Sequence, residues 1–290
     1  MQKYSLEKFK IMATLSLINK YFWKTKIGPI FSTVSPFLFM IIYYALTSSV
    51  GDSNDLTYFV NGLPTYLSMS IIPLAIITLP SMNIEFKNSI LLRKIKTSGI
   101  QKVQYNIICI FYFFMLSIAF SLLTLIFFLM FSAKNIEYVK HIDVGTLIYG
   151  ILILSLTSIS LGMFASVFMK APLSSQLIGF AIFILTLTFS GQFIPVEVIS
   201  KVEAIKYMSL FSPLNYGANI LNIACLKAAD GFTNSIFDFN KGFSFYGFGG
   251  TDNIINLYDV WQKAVFAFVP IALIVIFEIL SIKFFKWTGR

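Results

Sequence analysis

Charge is scarce in this chain. Asp, Glu, Lys and Arg together make up 12% of its 290 residues, against about 25% in a typical soluble domain. A water-soluble fold of this length could not cover its surface with so few charges. There is one histidine, His141, expected in a solvated loop. There are two cysteines: Cys109 falls inside an apolar block and Cys225 in a polar connection, so the two are expected to lie far apart and unbridged. No C-x-x-C or Cys/His cluster offers a metal site. The phosphate-binding pattern G-x-x-x-x-G-K-[ST] is absent, and Gly249-Gly250-Thr251 lacks the lysine that would reach a phosphate. No H-E-x-x-H, no G-x-S-x-G and no clustered pair of acids lies in an apolar block. A catalytic residue is therefore not expected. The first 27 residues are too polar for a signal-peptide core, so no cleaved leader is expected.

Apolar residues fill the space, at 57% of the chain with 32 Phe. Six runs are long enough for the ~20 residues that a bilayer crossing needs. They lie at Gly28–Ser49, Tyr58–Pro80, Tyr105–Ser132, Val144–Met169, Pro172–Ile194 and Val260–Ile282. The first five hold no Asp, Glu, Lys or Arg, and the sixth holds Lys263 and Glu278. The fold expected is an all-α polytopic membrane protein with six transmembrane helices. Residues 1–27 precede the membrane domain of 28–290. Within them Ile11, Leu15, Ile18 and Phe22 recur at helical spacing, with Lys3, Glu7 and Lys10 toward the other side. That pattern suits a helix in the headgroup region or an ordinary amphipathic packing helix.

The net charge of +9 does not suggest nucleic acid, because the Lys and Arg residues sit between apolar blocks with no aromatic interleaving. It reads as membrane orientation instead. With both termini inside, 15 of the 22 Lys and Arg residues are cytoplasmic and 7 lie outside. The outside connection at 195–259 is long. Val198, Val202 and Ile205 predict one short helix there, and Asn215–Ala228 a second, ahead of a Phe-, Gly- and Asn-rich stretch at Asp230–Asn256.

Several polar or small residues invite two readings. Glu278 is the one acid in a span, either a proton carrier or a structural carboxylate pairing near Lys283 and Lys286. Ser158, Gly162 and Ser166, four residues apart, predict close helix packing. Pro36, Pro64, Pro73 and Pro270 predict kinks. The inside segment Glu85–Asn106 carries Lys87, Arg93, Lys94, Lys96 and Lys102 beside an apolar row of Ile90, Leu91 and Ile95. A short helix of this kind docks on a soluble partner or lies on anionic lipid.

Three motifs carry a family likeness. SILLRKIKTS at Ser89–Ser98 resembles the loop between spans two and three of the ABC-2 exporter permeases, often G-[LT]-L-[KE]-R-L-x-x-T-P. Arg93, Lys94, Ile95 and Thr97 match, Ile90 stands where glycine is common, and Ser98-Gly99 replaces the usual proline. SGQFIPVEVISK at Ser190–Lys201 resembles the family's signature after span five through Gly191, Phe193 and Pro195, and SPLNYGANIL at Ser212–Leu221 the segment that follows it. The Asp230–Asn256 stretch is longer than the family usually carries. The likeness implies short extracellular re-entrant helices before the last span.

It further implies a permease subunit that moves a hydrophobic or amphipathic cargo (drug, lipid or peptide) out of the cell. A second permease, identical or paralogous, would face it across the cell membrane of a bacterium. A separate ATP-binding-cassette subunit would hold ATP and Mg, with no cofactor on this chain. Glu85, Ile90, Leu91, Arg93, Lys94, Ile95 and Thr97 would form the ATPase-coupling loop. Phe37, Met40, Tyr43 and Tyr44 of span one and Met69 of span two would line the substrate path. Phe183, Thr186, Phe189 and Ser190 of span five would join them, with Gly191, Phe193 and Pro195 at the outer gate. For each lining residue, lipid contact or packing is the alternative. The competing classes are a membrane immunity or scaffold protein and a channel or secondary carrier.

Overall fold

In the computed structural model, residues 2–25, 27–48, 55–190, 212–230 and 260–285 are described. All regular structure among them is helical. In chain order the helices are α1 (Gln2–Thr25), α2 (Ile27–Ser48), α3 (Asp55–Pro73), a π-helical turn (Leu74–Thr78), α4 (Leu79–Asn88), α5 (Leu91–Thr97), α6 (Lys102–Phe131), α7 (Ala133–Val139), α8 (Val144–Phe168), α9 (Pro172–Phe189), α10 (Asn215–Asp230) and α11 (Val260–Phe284).

Among the described residues four helices are long and apolar enough to cross a membrane: Gly62–Asn88, Lys102–Phe131, Val144–Phe168 and Pro172–Phe189. The pair α1 and α2, bent by 52°, passes the same test if taken as one broken span. The second apolar block is the most enclosed. Its central stretch is completely buried, surrounded by α2, α6, α8, α9 and α10.

That helix also runs further than the block of 58–80. It continues to Asn88 through Glu85 and Lys87, because both charges find partners on other elements. Lys87 Nζ donates to the Ser166 carbonyl at 2.7 Å and sits 5.2 Å from the centre of the Phe285 ring. Glu85 accepts a hydrogen bond from the Tyr21 hydroxyl. The helix stops at Ser89, whose backbone turns extended.

Pro73 produces more than a kink. It has no N–H for an α-helical bond, and the chain after it winds into a π turn. Leu79 N–H reaches back five residues to the Leu74 carbonyl, and Thr78 Oγ1 donates to the Pro73 carbonyl at 3.5 Å. The neighbours close in on this turn with glycines. A Cβ on Gly162 of α8 would lie 2.1 Å from the Ala75 oxygen, and one on Gly179 of α9 would lie 2.6 Å from the Ile76 oxygen. The small-residue row Ser158, Gly162 and Ser166 is thus the seam along which α8 meets the π turn and α4.

The helix expected within the outer connection is a core element. Leu214, Ala218, Leu221, Ala224 and Cys225 are fully buried, and α10 packs on α8 and α3. The crossing is close in both directions: Gly217 faces the Leu154 backbone and Gly150 faces Leu221. Cys225 therefore sits in the interior, not in a polar connection, and both cysteines are free. The first helix expected there, with Val198, Val202 and Ile205, lies outside the described residues, as does 231–256 of the stretch that follows α10.

Helix α1 has two apolar faces. Ile18 and Phe22 are fully buried, with Phe22 edge-on to Phe113 of α6 at 6.0 Å between ring centres. Tyr112 of α6 donates to Asn19 at 2.9 Å. On the other face Phe9, Met12 and Trp23 are 74%, 72% and 54% exposed. The helix both packs on the bundle and offers an apolar surface for a membrane interface.

Candidate functional site

The end of the bundle that carries α1 and α5 is built as a rigid frame. Ser89 Oγ donates to the Phe86 carbonyl at 3.1 Å and accepts from Leu91 N–H at 3.2 Å, which holds the corner between α4 and α5. At the far end of α5, Thr97 and Ser98 hydroxyls bond back to the Lys94 and Ile95 carbonyls. Gly99 then takes φ +86°, a left-handed conformation that other residues rarely adopt. Gln101 and Gln104 satisfy each other's backbone and start α6 as a capping box.

Helix α5 divides sharply into two faces. Leu92 and Ile95, three residues apart, are buried, and Ile100 joins them. Ile90 is 68% exposed, in company with Arg93, Lys94, Lys96 and Thr97. The apolar row expected from the sequence, Ile90, Leu91 and Ile95, is therefore split. Ile95 holds the loop to its own chain, Leu91 is half-buried, and Ile90 is the apolar residue left exposed. Leu92 was missed. An i, i+3 pairing with Ile95 was the signal for it.

Glu85 of the same loop is drawn inward. Tyr21 of α1 donates to it and stacks edge-on against Phe86 at 4.8 Å. Burial, then the hydrogen bond and charge of Glu85, push the Tyr21 phenol up to about 12, so it stays a donor at neutral pH. These two residues form one wall of a cavity of about 200 Å³ that also includes Lys24, Thr78, Ser81 and Gln176. The cavity brings together α1, the π turn, α4 and α9. Gln176 Nε2 donates to Ser81 Oγ at 3.1 Å across it. One turn further along α9, Phe180 meets Phe31 of α2 at 6.1 Å.

The expected substrate-path residues do not all converge. Phe37 lies edge-on to Phe127 of α6, with ring centres 4.2 Å apart, and Tyr44 lies 5.9 Å from Phe131. Both contact the third block. Met40, Met69 and Phe183 are buried. Thr186 spends its hydroxyl on the Ile182 carbonyl at 2.8 Å. Phe189 and Ser190 mark the end of α9, where Asn215 and Asn222 of α10 donate to their carbonyls at 3.2 and 3.1 Å. The Tyr43 side chain and Gly191, Phe193 and Pro195 lie outside the described residues. Phe31 and Phe180, which do join α2 to α9, carried no distinguishing sequence signal.

Glu278 does not reach toward Lys283. It turns into the bundle and accepts a hydrogen bond from Asn106 of α6. Nearby, Tyr105 donates to Asn83 at 2.8 Å, and Asn83 donates to Ser166 at 3.4 Å. Polar side chains thus knit α4, α6, α8 and α11 together near this end.

A helical bundle with membrane-crossing helices, and a basic, partly exposed short helix at one end, defines a polytopic membrane protein. The family model for the ABC-2 type transporter membrane domain matches residues 8–226. The chain belongs to that family and is a transporter permease. The match runs from α1 into α10 and ends before α11. No curated protein and no solved structure matches the chain.

Proposed function

We propose that this permease is the membrane half of an ATP-driven exporter, with six spans, both termini in the cytoplasm, and a second permease facing it. One observation carries the reading. The exposed basic face of α5 is joined through a capped corner to α4, and α4 is the end of the most enclosed helix in the bundle. A force applied to α5 reaches the centre of the membrane domain without crossing a flexible linker. That is the mechanical requirement for driving transport from an ATPase below. ATP and Mg would be bound by that separate subunit.

The chemistry of docking follows from exposure. Arg93, Lys94 and Lys96 offer a cationic rim for an acidic groove, and Ile90 offers an apolar anchor. Ile95 supports α5 from beneath. The cleft would run beside α2, the π turn and α9, with Phe31 and Phe180 closing it one turn above the polar cavity. An amphipathic cargo suits that sequence of a polar mouth and an aromatic barrier.

The test is co-purification. An Ile90→Asp, Arg93→Glu variant should fold and insert normally, yet lose the ATPase and with it cargo-stimulated hydrolysis. Retention of both would remove α5 as the coupling element.

A further inference from the structure

We infer that the cavity between α1, α4 and α9 is a binding site for the head group of a zwitterionic amphiphile bearing a primary ammonium, of the phosphoethanolamine type. This names a cargo class for the export reading and rests on that reading only for the direction of movement. The binding site itself stands on the geometry.

Size is the first constraint. A cavity of about 200 Å³ is smaller than the roughly 300–1,000 Å³ of pockets that enclose a drug-sized ligand. It can take a head group and leaves a hydrocarbon tail outside. The tail has a place to go, because the next turn of α9 presents Phe180, 41% exposed, and Leu177, 64% exposed, on an apolar flank.

Charge is the second constraint. The walls carry one carboxylate, Glu85, and one ammonium, Lys24. Glu85 is half-buried and hydrogen-bonded to the neutral Tyr21 hydroxyl, whereas Lys24 is exposed at the mouth. A ligand with its cation inward and its anion outward meets both. A simple anion would face Glu85, and a simple cation would have to pass Lys24.

Hydrogen-bond direction is the third. Gln176 uses its Nε2 on Ser81, which leaves its carbonyl oxygen as an acceptor. Thr78 and Ser81, 4% and 5% exposed, supply hydroxyl oxygens at the floor. With the Glu85 carboxylate, these acceptors suit the three N–H donors of a primary ammonium. A trimethylammonium has no N–H to give and is recognised by a cage of aromatic faces. This cavity has one aromatic wall, Tyr21, already engaged edge-on with Phe86.

Native mass spectrometry of the permease, released from nanodiscs with equal mole fractions of phosphatidylethanolamine, phosphatidylcholine and phosphatidylglycerol, tests this. The wild type should retain phosphatidylethanolamine about tenfold over phosphatidylcholine, the scale of one charge-assisted hydrogen bond. Glu85→Gln, which preserves shape and a partner for Tyr21, should abolish that preference. Lys24→Met, at the exposed mouth, should weaken retention of phosphatidylethanolamine without changing the fold. Equal retention of the three lipids by the wild type, or an unchanged preference in both variants, overturns the site. If the preference holds but phosphatidylethanolamine does not stimulate the ATPase in the reconstituted complex, the site stands and the export reading of it falls.

Discussion

Gly162 of α8 faces the backbone oxygen of Ala75 so closely that a methyl group added to it would come to 2.1 Å of that oxygen. The π turn after Pro73 pushes its carbonyls outward, and only a glycine lets α8 close on them. Replacing Gly162 by Ala must therefore move a helix. The expected cost is about 1–3 kcal/mol, the usual range for overpacking a tight interior. Thermal unfolding in detergent should show a clear drop for Gly162→Ala and a smaller one for Gly179→Ala. Gly145→Ala, whose nearest contact is 3.4 Å away, should unfold like the wild type. Equal stability of all three would mean that the π turn is not clamped.

The link between Asn106 and Glu278 predicts an asymmetry. Asn106→Leu removes the donor and leaves a carboxylate inside the bundle without it. A loss of about 1–3 kcal/mol is expected. Glu278→Gln keeps an acceptor for Asn106 and should stay within about 1 kcal/mol of wild type. If Glu278 holds helices together, Glu278→Gln should also transport normally. Transport abolished in a protein of wild-type stability would make Glu278 a proton-carrying group instead.

Helix α10 is fastened to the end of α9 by two asparagines seven residues apart, Asn215 and Asn222. Asn222→Leu removes a donor to the Ser190 carbonyl at a helix end. It should destabilise by about 1–3 kcal/mol, with faster limited proteolysis as the direct readout. Unchanged proteolysis would show that packing against α8 alone holds α10.

Orientation is open to labelling. His141 and Lys94 are both exposed, at opposite ends of the chain's path through the bundle. A membrane-impermeant thiol reagent applied to whole cells should modify His141→Cys and spare Lys94→Cys. The reverse pattern would place α5 outside and leave it unable to meet a cytoplasmic ATPase.

Helix positions were legible because apolar runs of twenty or more residues leave few alternatives. Among the described residues each of the six blocks holds helix, and four helices are long and apolar enough to cross a membrane. Three things were not legible, each for a physical reason. The extension of α4 past Pro80 was masked by Glu85 and Lys87, whose partners Tyr21, Ser166 and Phe285 come from distant parts of the chain. The direction of each apolar helix was hidden because a helix that is apolar all round has no stripe to read. Phe37 and Tyr44, expected to line the substrate path, contact rings of α6. Helix α7 was missed because it spans only seven residues, Ala133–Val139, started by the Ser132 cap. The loop chemistry was partly legible. Its basic residues stood out, but which apolar residues turn inward depended on where α5 starts.

Site-directed crosslinking at α5 tests the coupling claim most directly. Both native cysteines are buried, so a single introduced cysteine can report on its own. Ile90→Cys and Arg93→Cys, on the exposed face, should form a crosslink to the ATPase subunit in membranes, stronger with ATP bound. Leu92→Cys, 1% exposed in the wild-type position, should not. Crosslinking at Ile90 and Arg93 with none at Leu92 is the result this account predicts. No crosslink from the exposed face in a membrane that retains transport would contradict it.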